Sequence, residues 1–231
     1  EALLVGADLS EVFLEGANLE GANLSAANLT RANFRSASLV VADLTEADLT
    51  EADLTEADLT GTILDGVDLS SLDLAPLDLT GANLTGAIFV GADLPSTHLA
   101  GLARNGADLF GVDLSSEDLS GADLMVMPLA RANLSKANLS EANLAYSNLP
   151  GADLTSANLR GADLTGADLT WADLAWADLT GADLSSADLT SADLASANLT
   201  GADLTGADLK EAYLRGTDLT SANLRGADLT G

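Results

Sequence analysis

Gly161-Ala162-Asp163-Leu164-Thr165-Gly166-Ala167-Asp168-Leu169-Thr170 states the rule of this chain twice. Outward from it in both directions, leucine recurs at every fifth position from Leu4 to Leu229. Of the 46 positions in that frame 43 are Leu, and the exceptions are Phe34, Phe89 and Arg104. The residue two before the Leu is usually Ala and the one before it is usually Asp or Asn, so the unit reads Ala-Asp/Asn-Leu-Xaa-Xaa. A period of five fits neither the 3.6 of a helix nor the sustained alternation of a long strand. Short extended stretches broken by turns remain. In such a stretch Ala and Leu, two apart, share one side, and the Asp or Asn between them faces the other. All 21 glycines fall two residues after the Leu position, where a bend needs permissive backbone angles.

Unbroken repetition argues for one elongated array over residues 1–231 rather than two globular domains. The chain opens at Glu1 without an initiator Met and stops at Gly231 in mid-repeat, with no polar cap at either end. The expectation is a fragment or a trimmed domain.

This pattern resembles the pentapeptide-repeat family, over essentially the whole chain and with a motif specific in so many tandem copies. The resemblance implies an all-β fold, a right-handed quadrilateral β-helix in which four pentapeptides form the four sides of a 20-residue coil. About eleven to twelve coils at ~4.8 Å each give a rod roughly 55 Å long. A narrow interior explains a core made almost wholly of Leu and Ala, with aromatics at 3% of the chain.

Composition excludes several function classes. Nine basic against 36 acidic residues give a net charge of -27, which opposes unassisted binding to nucleic-acid phosphates or anionic lipid and favours a protein partner with a neutral or basic surface. No apolar run approaches the length of a membrane span, and no targeting segment is visible, which makes the cytoplasm the expected location. With no cysteine there is no disulfide framework and no Cys-based metal site. A filled rod offers flat sides rather than a pocket, so no enzyme and no cofactor are expected. A calcium site needs six to eight converging oxygens, which this motif does not assemble, so no metal is expected either.

The repeat weakens between Gly61 and Ala132, where Thr62, Val67, Leu72, Leu77, Thr97, Leu102, Val112, Glu117 and Met127 take the Ala position. Residues 95–106 are the candidate loop or bulge, with His98 where Asp or Asn is usual and Arg104 in a Leu position. The rival reading keeps the segment in the coil and pairs an inward Arg104 with Glu117, a costly burial of charge. Pro128 marks a second candidate irregularity. By analogy with family members in which projecting loops matter, 95–106 is a candidate functional patch.

Of the 36 acidic residues, 25 are Asp at the position before the Leu, and Asn fills the same position 12 times. The plainer role for both is to bond nearby turn amides. Stacking by twenty also sorts the carboxylates into columns: Asp53, Asp73, Asp93 and Asp113; Asp153, Asp173 and Asp193; Asp168, Asp188, Asp208 and Asp228. Like charges ~4.8 Å apart repel by roughly 0.9 kcal/mol in water, a cost that Asn avoids. The net charge over the expected length is about one per 2 Å, close to the one per ~1.7 Å of duplex DNA. The resemblance adds that some family members mimic DNA, bind gyrase or topoisomerase IV and protect them from poisons. The candidate partner-binding residues are therefore these Asp columns, with His98 and Arg104, and with Trp171 and Trp176 at consecutive turn positions. The leading expectation is a non-catalytic acidic binding or spacer module, the second a topoisomerase-directed DNA mimic. A dimer formed by end-to-end stacking fits either.

Overall fold

The computed structural model describes residues 2–70, 72, 77, 79, 81–88 and 109–231. They fall into two compact units, Glu1–Asp113 and Leu114–Gly231. Neither contains a helix among the described residues, and no helix is long and apolar enough to cross a membrane.

Both units are built from the same five-residue element, which Ala22 to Ala26 illustrates. The Ala22 amide donates to the Leu19 carbonyl (2.9 Å) and closes a turn; the Asn23 amide donates back to Ala2 (2.9 Å). Leu24 and Ala26 donate forward to Asp43 (2.7 Å) and Thr45 (2.8 Å). The fifth amide, that of Ser25, has no backbone carbonyl in reach of the ladder and is bound by the side chain of Asn23 (3.0 Å). Every buried or half-buried amide needs a partner. The Asp or Asn of each unit is thus the residue that completes the hydrogen bonding of its own turn.

The forward and backward bonds pair residues twenty apart as single parallel bridges, such as Asn23 with Asp43 in the first unit and Asp163 with Asp183 in the second. Four turns separate the members of each pair, so a coil has four sides. Ala and Leu face inward: Leu24, Leu29, Leu164 and Leu169 are completely buried. Burying each Leu contributes about 1.5–3 kcal/mol. Phe34 fills its Leu position at 0% exposure, so one ring is accommodated in the interior of the first unit. The Ala-position misfits Thr62, Val67, Leu72, Leu77, Val112 and Met127 are all buried, and Thr62 satisfies its hydroxyl on the Leu39 carbonyl (2.9 Å). Glu117 is half-buried.

The turn position two after the Leu carries a positive φ whether or not it is glycine. Gly61 has φ 66°, and Val41, Glu46 and Trp171 have 50°, 55° and 55°. An L residue there costs roughly 1–2 kcal/mol, so the ladder on either side holds these residues in place.

One turn of the coil breaks the count. Ile88 pairs with Asp113, 25 residues on, and the Gly86 amide donates to Phe110 (2.8 Å). Five residues are one side, so the Leu frame continues through this turn while the faces shift by one. Asp113 accordingly stands on the face of Asp68 and Ile88 and not in the column of Asp53, which corrects the stacking by twenty at this point. The loop or bulge expected at 95–106, with the alternative Arg104–Glu117 pair, lies outside the described residues. Pro128 bridges Asn148 as its neighbours bridge their partners, and across it the Leu129 amide also donates to the Met127 carbonyl (3.2 Å).

Candidate functional site

The bridges order the outward residues of the second unit into four faces. One reads Asn133, Asp153, Asp173, Asp193, Tyr213; the next reads Asp118, Asn138, Asn158, Asp178, Asn198, Asp218. The third reads Asp123, Asn143, Asp163, Asp183, Asp203, Asn223, and the fourth Pro128, Asn148, Asp168, Asp188, Asp208, Asp228. Asp153, Asp173 and Asp193 are therefore consecutive on one face, and Asp168, Asp188, Asp208 and Asp228 on another. In the first unit Asp53 follows Phe13 and Asn33, and Asp113 is placed as above. Asp73, Asp93, His98 and Arg104 lie outside the described residues.

Each Asp first serves its own turn. Asp153 accepts the Thr155 amide (2.9 Å) and hydroxyl (2.7 Å), and Asp168 accepts the same two groups of Thr170 (3.0 and 2.8 Å). The Thr50 hydroxyl and amide hold Asp48 below the usual carboxylate range, and those of Thr55 do the same for Asp53. At Asp178 burial pushes the carboxyl up, and the Thr180 and Arg160 bonds together outweigh it, so it too lies low. The Lys210 ammonium binds Asp208 and reaches Asp228 at 3.2 Å, bridging two coils.

Asn performs the same turn bond and adds a second. The Asn28 amide donates to Asp8 (3.2 Å) and the Asn138 amide to Asp118 (2.9 Å), each across one coil. An Asn above an Asp removes the repulsion and forms a bond, whereas an Asp above an Asp does neither. Sequence spacing locates the columns, but these cross-coil amide bonds need the register.

The corners carry a different chemistry. Glu11, Arg31 and Glu51 form an alternating ladder, with Arg31 2.7 Å from Glu51 and 3.5 Å from Glu11, all on exposed groups. Glu46, Glu51 and Glu56 are exposed corners as their spacing implies, and Glu56 accepts the Ser36 hydroxyl (3.0 Å). Trp171 and Trp176 stand 69% and 70% exposed, and Tyr146 and Tyr213 58% and 49%. Tyr146 is partly seated: its ring edge lies 2.6 Å from where a Cβ on Gly166 would stand, so it covers the next coil's glycine. Among the described residues no group of three or more His, Cys, Asp or Glu side chains converges to hold a metal ion.

The family model of pentapeptide repeats matches residues 2–40, 42–75, 78–115, 132–170, 167–206 and 197–231. No curated protein sequence matches the chain. Among solved structures it is similar to HetL, a pentapeptide repeat protein involved in heterocyst differentiation regulation from the cyanobacterium Nostoc. HetL is 35% identical over 98% of this chain and 84% of its own, with a TM-score of 0.42. A pentapeptide repeat protein from the thylakoid lumen of Arabidopsis thaliana is 36% identical over 52% of this chain and 66% of its own, with a TM-score of 0.23. QnrB1, a plasmid-mediated fluoroquinolone resistance protein, is 16% identical over 99% of this chain and 92% of its own, with a TM-score of 0.23. With the five-residue unit matched along most of its length, the chain belongs to the pentapeptide-repeat family, whose members are known to form right-handed quadrilateral β-helices.

Proposed function

We propose that this protein is a non-catalytic module, right-handed in its winding, that presents acidic faces to a protein partner of neutral or basic surface. The observation that carries the reading is the uninterrupted stacking of Asp on three of the four faces of the second unit. Asn would make the same turn bond and add a cross-coil one, so the turn alone does not select the carboxylate. The charge-assisted turn bond returns part of what the repulsion costs. A surface use accounts for the remainder. The test is fluorescence anisotropy with a labelled lysine- and arginine-rich peptide against an acidic peptide of equal length. Saturable, salt-sensitive binding of the basic peptide alone is the expected result, and equal or absent binding of both removes the reading.

A second reading, a DNA mimic that occupies the DNA-binding surface of a type II topoisomerase, is favoured by the same runs of Asp. It is separated from the first by a gyrase supercoiling assay. Inhibition or quinolone protection at micromolar levels supports mimicry, and no effect at high concentration removes it. Converting Asp168, Asp173, Asp188, Asp193 and Asp208 to Asn abolishes mimicry and spares the fold; inhibition that survives shows that charge is not the mechanism.

Cytoplasmic residence and end-to-end stacking of two copies belong to the same proposal. Cell fractionation and sedimentation equilibrium test them, a lumenal protein and a monomer at all concentrations being the contrary outcomes.

A further inference from the structure

Trp171 and Trp176 are the two tryptophans of the chain, and they bound a single rung, Ala172 to Ala175, of the Asp173 face. Both occupy turn positions with positive φ, 55° and 63°, where an L side chain is strained, and both are about seven-tenths exposed. The coils on either side use Gly151 and Ser191 at the first of these corners and Ser156 and Ser196 at the second. The fold therefore has no need of indoles there.

The floor between them carries two stacked Ala residues after the Leu, Ala175 and Ala195. Asp153 receives a Thr hydroxyl, but Asp173 and Asp193 are followed by Ala175 and Ala195, so the turn supplies each only an amide (2.9 and 2.8 Å). Two stacked carboxylates keep acceptor capacity that the Thr155 hydroxyl occupies at Asp153, above a surface lowered to methyl groups. Tyr213 continues the column beyond Asp193, half exposed, and Glu211 lies one coil beyond Ser191 on the Trp171 corner. The cations on these corners, Arg131 and Lys136 on one side and Lys210 and Arg215 on the other, stand two coils from the rung between the indoles, and Lys210 is engaged by Asp208 and Asp228.

We propose that the face bearing Asp153, Asp173 and Asp193, walled by Trp171 and Trp176, is the docking surface for an extended protein segment carrying lysine or arginine. This rests on the binding-module reading and names its site. The occupant follows from charge complementarity: a net charge of -27 repels anionic polymers and membranes, while carboxylates beside indole rings suit a cationic side chain twice, by ion pairing and by cation–π attraction. A flat, unenclosed face suits a chain segment better than a small molecule, which needs concavity.

Because the chain has no other indole, its tryptophan emission reports this face alone. The purified chain is titrated with a labelled peptide of alternating Arg and Thr, following tryptophan emission and peptide anisotropy together. The expected result is a saturable change in emission that tracks the anisotropy. The double variant Trp171→Ser with Trp176→Ser, whose serines already occur at these corners one coil on, weakens binding about tenfold, as does Asp173→Asn with Asp193→Asn. Asp48→Asn with Asp58→Asn, which removes equal charge from the first unit, changes it less than about twofold. Anisotropic binding with unmoved emission, or variants on this face that bind like the parent, overturns the docking site and leaves the module reading standing. An equal loss in the first-unit variant also overturns it, by showing that charge alone is read. No binding of the peptide to the parent chain removes both.

Discussion

At the scale of the residue, the decisive group is the Oδ1 atom wherever Asp or Asn precedes the Leu. It binds the one amide per unit that the coil ladder leaves over, as Asn23 does for Ser25 and Asp153 for Thr155. Asp153→Ala is expected to cost about 1 kcal/mol in urea unfolding, with Asp153→Asn near neutral because it retains the acceptor. The turn corner is the second such group. Val41, β-branched and at φ 50°, occupies a conformation that glycine adopts freely, so Val41→Gly is expected to stabilise by about 1 kcal/mol, read as a raised denaturation midpoint. That both roles exist was legible from composition by position: glycine held to one phase, Asp and Asn to another. Which non-glycine corners are strained was not, since the φ of Val41 or Trp171 is imposed by the coils that flank it.

At the scale of the coil, stability is shared between neighbours rather than gathered in one centre. Leu164→Ala is expected to cost about 3 kcal/mol and to raise amide exchange first in the coils beside it, a pattern visible by hydrogen exchange with mass spectrometry. Acid acts on the turns. Asp48, Asp53 and Asp178 have folded-state values below the ordinary 3.8, so their contribution is present above that value and is lost as pH falls through the lower folded one. The melting temperature is therefore expected to decline as pH drops below about 4, and to do so less in a variant carrying Asn at these three positions. The short extended stretches and their turns were readable from the five-residue spacing, and the four-sided coil was implied by the resemblance to the pentapeptide-repeat family. The turn from Ile88 to Asp113 was not, because its five additional residues equal one side and leave the Leu frame untouched. Asp113 then changes face with no trace in the periodicity. Pro128, flagged by its missing amide, keeps the bridge to Asn148, since that bridge runs through the Leu129 amide and the Met127 carbonyl and needs no amide of its own.

At the scale of the whole molecule, charge dominates. A net charge of -27 set in columns strains the folded state, and added monovalent salt is expected to raise the melting temperature, whereas a variant with several columnar Asp changed to Asn should respond less. The two units divide their surface chemistry: the alternating Glu11–Arg31–Glu51 corner belongs to the first, and both tryptophans with the long Asp runs belong to the second. The sequence by itself determined the repeating element, the inward Leu and Ala, the absence of helix among the described residues and the excess of outward carboxylate, because a strict short period leaves a polypeptide few ways to bury its apolar residues. Only the tertiary structure decided that Asp113 leaves the column of Asp53 and which Asn bond an Asp across a coil. Those relations join residues twenty or twenty-five apart, and the physical reason they stay hidden in the chain is that register between coils is set by backbone hydrogen bonds, which carry no side-chain signature.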